Sequence, residues 1–134
     1  LLFSPDELEY MQKISSIFGQ TPRTINRYVN IYRIIKAHGN LKVVGNYSKE
    51  EFMPIIFLLG IIVGCPAFAE DFMSQLSTAK DDDTFQDFIN RSLFPENFKK
   101  IVNPFVSDFV YLEMSDFKRN KDLISRFSFR TLVK

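Results

Sequence analysis

The stretch Phe52-Met53-Pro54-Ile55-Ile56-Phe57-Leu58-Leu59-Gly60-Ile61-Ile62-Val63-Gly64-Cys65-Pro66-Ala67-Phe68-Ala69 decides the fold, because its eighteen residues carry no charge. A run of this kind belongs either in lipid or at the centre of a helical domain, since a helix apolar all round has no face for water. Its punctuation favours the second. Pro54 and Pro66 break the run, Gly60 and Gly64 dilute it, Lys49-Glu50-Glu51 crowd one end, and Glu70-Asp71 close the other. The uninterrupted part, Ile55 to Val63, is much shorter than the roughly twenty apolar residues that cross a bilayer. A buried core helix is expected, with other helices wrapped around it.

Outward from this centre, the helical starts are written plainly. Ser4-Pro5-Asp6-Glu7 is a capping box with proline at the first helical position. Leu8, Met11, Ile14 and Phe18 then recur near helical spacing, and Gly19 fits a left-handed stop. Thr21 caps a second helix that begins at Pro22, runs to about Ala37 and exits through His38-Gly39. Ile25, Tyr28, Val29, Tyr32 and Ile35 fall on one side of it; Arg23, Asn26, Arg27, Asn30 and Arg33 fall on the other. Leu41 to Val44 is too short to classify.

Ser48-Lys49-Glu50-Glu51 is a second capping box, opening the apolar helix. Pro66 restarts a helix through Phe68, Phe72, Met73 and Leu76, and Asp81-Asp82-Asp83 reads as an acidic helix start leading into Phe85, Phe88 and Ile89. Pro95-Glu96 begins a longer helix bearing Phe98, Ile101, Phe105, Phe109 and Leu112, bent at Pro104. Ser115 or Asp116 starts the last, with Phe117, Ile124 and Phe127 inward. No window alternates with period two and no Asn-Gly or Asp-Gly hairpin occurs. The expected fold is all-α, a compact bundle of about six or seven helices in a single domain over residues 1–134. Residues 1–42 are expected to form one helix pair and 48–134 the helical remainder.

Composition limits the chemistry. The chain has 134 residues, 46% apolar and 25% charged, which suits one soluble core and is too short for most two-domain enzymes. A single cysteine excludes an internal disulfide, and a single histidine argues against a histidine-built zinc site. No Gly-rich phosphate loop, H-E-x-x-H, G-x-S-x-G or spaced metal-ligand set is present, so no catalytic residue and no metal ligand is assigned in the chain by itself. Cys65 reads as a small buried hydrophobe, His38 as a partner for a helix C-terminus, and Asp81 to Asp83 as a solvated helix start rather than a calcium loop. The net charge of +1 advertises no polyanionic partner, so nucleic-acid binding by Arg23, Arg27, Arg33 and Lys36 is not expected.

Charge is nevertheless unevenly placed. Thr21 to Lys42 holds Arg23, Arg27, Arg33, Lys36 and Lys42 and no acid, whereas Glu70 to Asn90 holds six acids against Lys80. The two blocks either face each other across helices or each face water; the alternative is that the basic helix meets phosphates. Within it, Pro22 fixes the helix start and Arg23 stands in the first turn, with Arg27 four residues on and Asn30 seven on along one polar stripe. An arginine at a helix start suits an anion, because the dipole and the guanidinium add their fields. The plain alternative is an exposed amphipathic helix whose arginines pair with neighbouring carboxylates.

The stretch Pro22-Arg23-Thr24-Ile25-Asn26-Arg27-Tyr28-Val29-Asn30-Ile31-Tyr32-Arg33 resembles the P-R-x-(aliphatic)-x-R-(aromatic)-(aliphatic)-N-x-Y-R segment that follows the nucleotide-binding core in KAP-type P-loop NTPases. Gly60-Ile61-Ile62-Val63-Gly64-Cys65-Pro66 and Arg126-Phe127-Ser128-Phe129 are similar to further pieces in the same order. The resemblance implies a helical lid and C-terminal region of a longer, cytoplasmic polypeptide. Its Walker segments would lie upstream of Leu1, and membrane association would come only through parts outside this chain. It also implies ATP and Mg as ligands of that upstream core, Arg23 as the arginine reaching the γ-phosphate, and Pro22, Arg27, Asn30 and Arg33 as supporting motif residues. The expected partner is the core itself. A helical protein-interaction module, docking through the acidic segment or the basic helix, is the alternative.

Overall fold

Ser4 begins the first helix as its spacing dictates: its hydroxyl accepts the Glu7 N–H at 3.1 Å, and Glu7 Oε1 accepts the Ser4 N–H at 2.8 Å. In this computed structural model the described residues are 3–19, 21–38 and 49–126. Helix α1 (Pro5–Phe18) ends at Gly19, whose φ of 95° lies in the region that favours glycine. After it come α2 (Pro22–His38), α3 (Lys49–Gly64), α4 (Pro66–Thr78), α5 (Phe85–Arg91), α6 (Glu96–Val102), a 3-10 helix (Asn103–Phe109) and α7 (Met114–Lys118). Residues 121–126 are also helical, and no strand occurs among the described residues. The fold is an all-α bundle. The short segment at Leu41 to Val44, the Ser48 cap and Phe127 to Phe129 lie outside the described residues.

α3 is the centre. Every residue from Ile55 to Ile62 is buried, and the Phe57 ring sits 5.0 Å from Phe109, 5.4 Å from Phe85 and 6.0 Å from Phe105. A second aromatic cluster surrounds Phe72, with Phe94 at 5.5 Å and Phe88 and Phe98 at 5.7 Å. The Phe57 contacts with Phe85 and Phe109 are edge-to-face, the arrangement that ring quadrupoles favour. α1 crosses α3 on its glycines. A Cβ at Gly60 would stand 2.5 Å from Ile14 Cγ2, and one at Gly64 would overlap the Ile17 carbonyl. The glycines that dilute the apolar run are therefore where a second helix comes closest. Among the described residues no helix is long and apolar enough to cross a membrane.

Several expectations are corrected. Pro54 does not break α3, which passes through it, because loss of one backbone donor near the helix start is tolerated where packing holds both flanks. Leu8 is 52% exposed while Glu7, one position earlier, is buried. Asp81 to Asp83 do not start α5; Thr84 does, accepting the Asp87 N–H at 3.1 Å. The Asp81 and Asp83 carbonyls instead accept the Ser115 and Met114 N–H groups at 3.0 and 2.9 Å, clipping the turn to α7. The long helix from Pro95 stops at Val102 and tightens into the 3-10 helix at Asn103-Pro104, which leaves Ile101 exposed. Glu113, rather than Ser115 or Asp116, caps the last short helix, in a capping box with Asp116.

Candidate functional site on α2

α2 begins as Thr21 requires. Its hydroxyl accepts the Thr24 N–H at 3.3 Å and its carbonyl the Ile25 N–H at 3.0 Å. Pro22 has no donor, so Arg23 holds the first-turn N–H with no intrahelical partner. Arg23, Arg27, Asn30 and Arg33 are all exposed. Among the described residues Arg23 makes no hydrogen bond or ion pair, and neither does Arg27. Elsewhere guanidinium groups are engaged: Arg91 pairs with Asp83, and Arg119 with Asp116 at 2.8 Å. Arg33 stands apart from its stripe neighbours, with its guanidinium 5.6 Å from the centre of the Phe3 ring.

The opposite side of α2 is anchored. Tyr28 is fully buried, stacks on Phe18 at 4.1 Å and donates its hydroxyl to the Ile56 carbonyl of α3 at 2.6 Å. Tyr32, Ile31 and Ile35 continue that buried line. At the far end Lys36 is not on the exposed face at all. It is buried, and its Nζ donates to Glu7 Oε1 at 2.7 Å, while the Tyr32 hydroxyl donates to Glu7 Oε2 at 2.5 Å. Burial pushes the Glu7 carboxyl up, but hydrogen bonds from Lys36, the Ser4 N–H and Tyr32, with the Lys36 charge, hold it below its ordinary value. The basic block read from the sequence thus divides: Lys36 is a buried structural cation, and Arg23 and Arg27 form the open part.

Sequence spacing missed this Glu7–Lys36 pair. The signal that could have found it is a capping-box glutamate with two acceptor oxygens, of which the box uses one. Other groups carry less chemistry. Cys65 is buried, which pushes its thiol up. His38 Nδ1 lies 3.0 Å from the Ile34 carbonyl at the end of its own helix. The Tyr10 hydroxyl is buried close to Asp108; burial first, and then the Asp108 charge, push its ionisation well above the ordinary range. A cleft of about 220 Å³ between α4 and α5 is lined by Thr78, Lys80, Phe88 and the Asp83–Arg91 pair, and a shallow groove of about 510 Å³ runs between Thr84 and Val106. Among the described residues no three His, Cys, Asp or Glu side chains gather as a metal site.

What the α2 arrangement can do is bind an anion end-on. It presents a free N–H, a positive dipole end and a guanidinium from one residue, with a second guanidinium one turn on. No protein-family model, curated protein or solved structure matches the chain.

Proposed function

We propose that this chain is the helical lid and signalling region of a P-loop NTPase, catalytically incomplete by itself, in which Arg23 faces the terminal phosphate of ATP held by an upstream core. The observation that carries the reading is Arg23 itself: exposed, in the first turn of α2, with guanidinium and backbone N–H both unpartnered among the described residues. The likeness of Pro22 to Arg33 to the KAP-type segment supports it. Arg23 would complete the positive charge around the terminal phosphate and lose that contact once hydrolysis removes the group. Lid orientation then reports nucleotide state. Because Tyr28, Tyr32 and Lys36 fix α2 to α1 and α3, a displacement at Arg23 moves the bundle rather than one side chain.

The test is single-turnover ATP hydrolysis by the polypeptide that joins this chain to its core. Arg23→Ala is expected to slow it at least about a hundredfold, as losing a transition-state charge partner does, with the fold intact and no less stable to heat. Unchanged hydrolysis removes the phosphate role.

A second reading, a helical protein-interaction module without a nucleotide role, draws on Val110, 61% exposed and lining the Thr84–Val106 groove, and on Tyr111 next to it in sequence, 94% exposed. Retention of a protein partner in the absence of nucleotide that survives added salt and is lost in Tyr111→Ser would favour it.

A further inference from the structure

The geometry points to a binding site for a free neutral amino acid, a small zwitterion with ammonium and carboxylate both intact, in the cleft between α4 and α5. None of the residues that line this cleft lies on α2. Among the described residues, the charged or small polar side chains that are buried are Glu7, Lys36, Asp83 and Ser92. Glu7 and Lys36 satisfy each other. Asp83 and Ser92 both line the cleft, and they differ in kind. Ser92 is closed off, its N–H and its hydroxyl both donating to the Phe88 carbonyl, at 3.1 and 2.6 Å. Asp83 is open. Its Oδ2 accepts from Arg91 Nη1, while Oδ1 takes no hydrogen bond among the described residues and is not sealed from solvent. A largely buried carboxylate with one oxygen unused is an acceptor that a bound donor completes.

Around that oxygen the cleft gathers both signs of charge. On the positive side stands Arg91, whose side chain is 58% exposed and bonded to Asp83 alone among the described residues. Lys80 joins it, exposed and with its ammonium in no ion pair or hydrogen bond among the described residues. On the negative side, Asp83 Oδ1 is joined by the carbonyl ends of two helices. Gln75 and Thr78 belong to the last turn of α4, and Phe88 and Arg91 to the last turn of α5. A lone anion or a lone cation uses only half of this arrangement. An α-amino acid uses all of it, with its ammonium on Asp83 and the helix ends and its carboxylate on Arg91 and Lys80. Size narrows the class. The cleft of about 220 Å³ lies below the roughly 300–1,000 Å³ of pockets that enclose drug-sized ligands, so it suits an amino acid about as large as valine and is too small for a nucleotide. Phe88 in the wall gives the ligand's side chain an apolar contact.

The test titrates the 134-residue chain at neutral pH and constant ionic strength with three probes that share one side chain. L-valine carries both charges, L-valinamide only the ammonium, and 3-methylbutanoate only the carboxylate. Binding is followed by the backbone amide NMR signals of Lys80, Asp83 and Arg91. L-valine is expected to saturate these signals with a Kd on the order of 1 mM or tighter, and each half-ligand to bind at least about tenfold more weakly. Lys80→Gln, a change at an exposed side chain that leaves the fold intact, is expected to weaken valine about threefold to tenfold. Asp83→Asn is expected to abolish the preference for valine over 3-methylbutanoate, even where losing the pair with Arg91 also lowers the melting temperature. Signals that valine leaves unmoved overturn the site. So does either half-ligand binding as tightly as valine, or a Lys80→Gln variant that binds valine unchanged.

Discussion

α2 and α3 have nearly the same length, 17 and 16 residues, and opposite surroundings. α3 is enclosed on all sides by other helices, and its composition says so: its interior carries no charge past Glu51. α2 is enclosed on one side only, and that side uses polar anchors, Tyr28, Tyr32 and Lys36, where α3 uses bare hydrocarbon. The contrast teaches a division of labour. Nonpolar burial around α3 supplies most of the stability, whereas hydrogen bonds and one buried ion pair fix the angle of α2 and leave its outer face exposed.

The sharpest way to break this contrast is at its centre. Phe57→Ala removes the ring that touches both the Phe85 and Phe109 groups, and is expected to cost about 3–5 kcal/mol by urea denaturation, the range for a buried Phe that leaves a cavity. A loss comparable to that of an exposed α2 variant would mean the core is not organised around α3.

Next comes the anchor of α2. Lys36→Met leaves the Glu7 carboxylate buried without its cation and is expected to cost about 3 kcal/mol, while the double change Glu7→Met with Lys36→Met recovers at least half of it. The pH dependence has a definite sign. Glu7 titrates lower in the folded chain than in the unfolded one, so its contribution is full above the ordinary carboxylate range and is lost as pH falls through the lower folded value. Urea midpoints measured from neutral pH downward are expected to drop more steeply for the wild type than for the double variant. Equal slopes would show that the pair adds nothing to the stability of the fold.

A smaller effect separates the two glycines of α3. Gly64→Ala drives a methyl into the Ile17 carbonyl and Phe18 Cα, which are backbone and cannot step aside; about 2 kcal/mol is expected. Gly60→Ala meets Ile14 Cγ2, a methyl on the stiff branched carbon of a buried side chain rather than backbone, and is expected to cost somewhat less, about 1–2 kcal/mol. Thermal melts of the two variants give the order, and a reversed order would deny that α1 rides on Gly64.

These same residues mark what could be read in advance. The identity of α3 as the core, the Ser4 and Thr21 starts and the Gly19 stop were legible, because each depends on residues within a turn of one another. The tilt of α1 was not. Leu8 and Glu7 sit side by side in sequence, and only the crossing over Gly60 and Gly64 turns Glu7 inward and Leu8 to water. Asp83 illustrates the same limit: three adjacent acids look solvated until Arg91 and the backbone of α7 are brought to them from the rest of the chain. At the candidate site, helical period alone placed Arg23, Arg27 and Asn30 outward. It could not see that the long aliphatic stem of Lys36 reaches back under Phe3 to a buried carboxylate.

The smallest expected effect bears most directly on function. α2 has no acidic residue in its first turn, and Arg23 stands there instead, a positive side chain against the positive end of the helix dipole, with Arg27 one turn on. Both local interactions are unfavourable, and no ion pair among the described residues offsets them. Arg23→Ala is therefore expected to leave the fold intact and to raise its stability by about 0.3–0.5 kcal/mol at low salt, the gain fading as salt screens the charges. Urea unfolding at two ionic strengths measures it. If Arg23→Ala instead destabilises the chain, the arginine belongs to the bundle's own stability and α2 is anchored on both sides. If it stabilises the chain, an arginine held against its local electrostatics is what a residue kept for an anion outside the bundle looks like, since a group selected for binding is under no constraint to help folding.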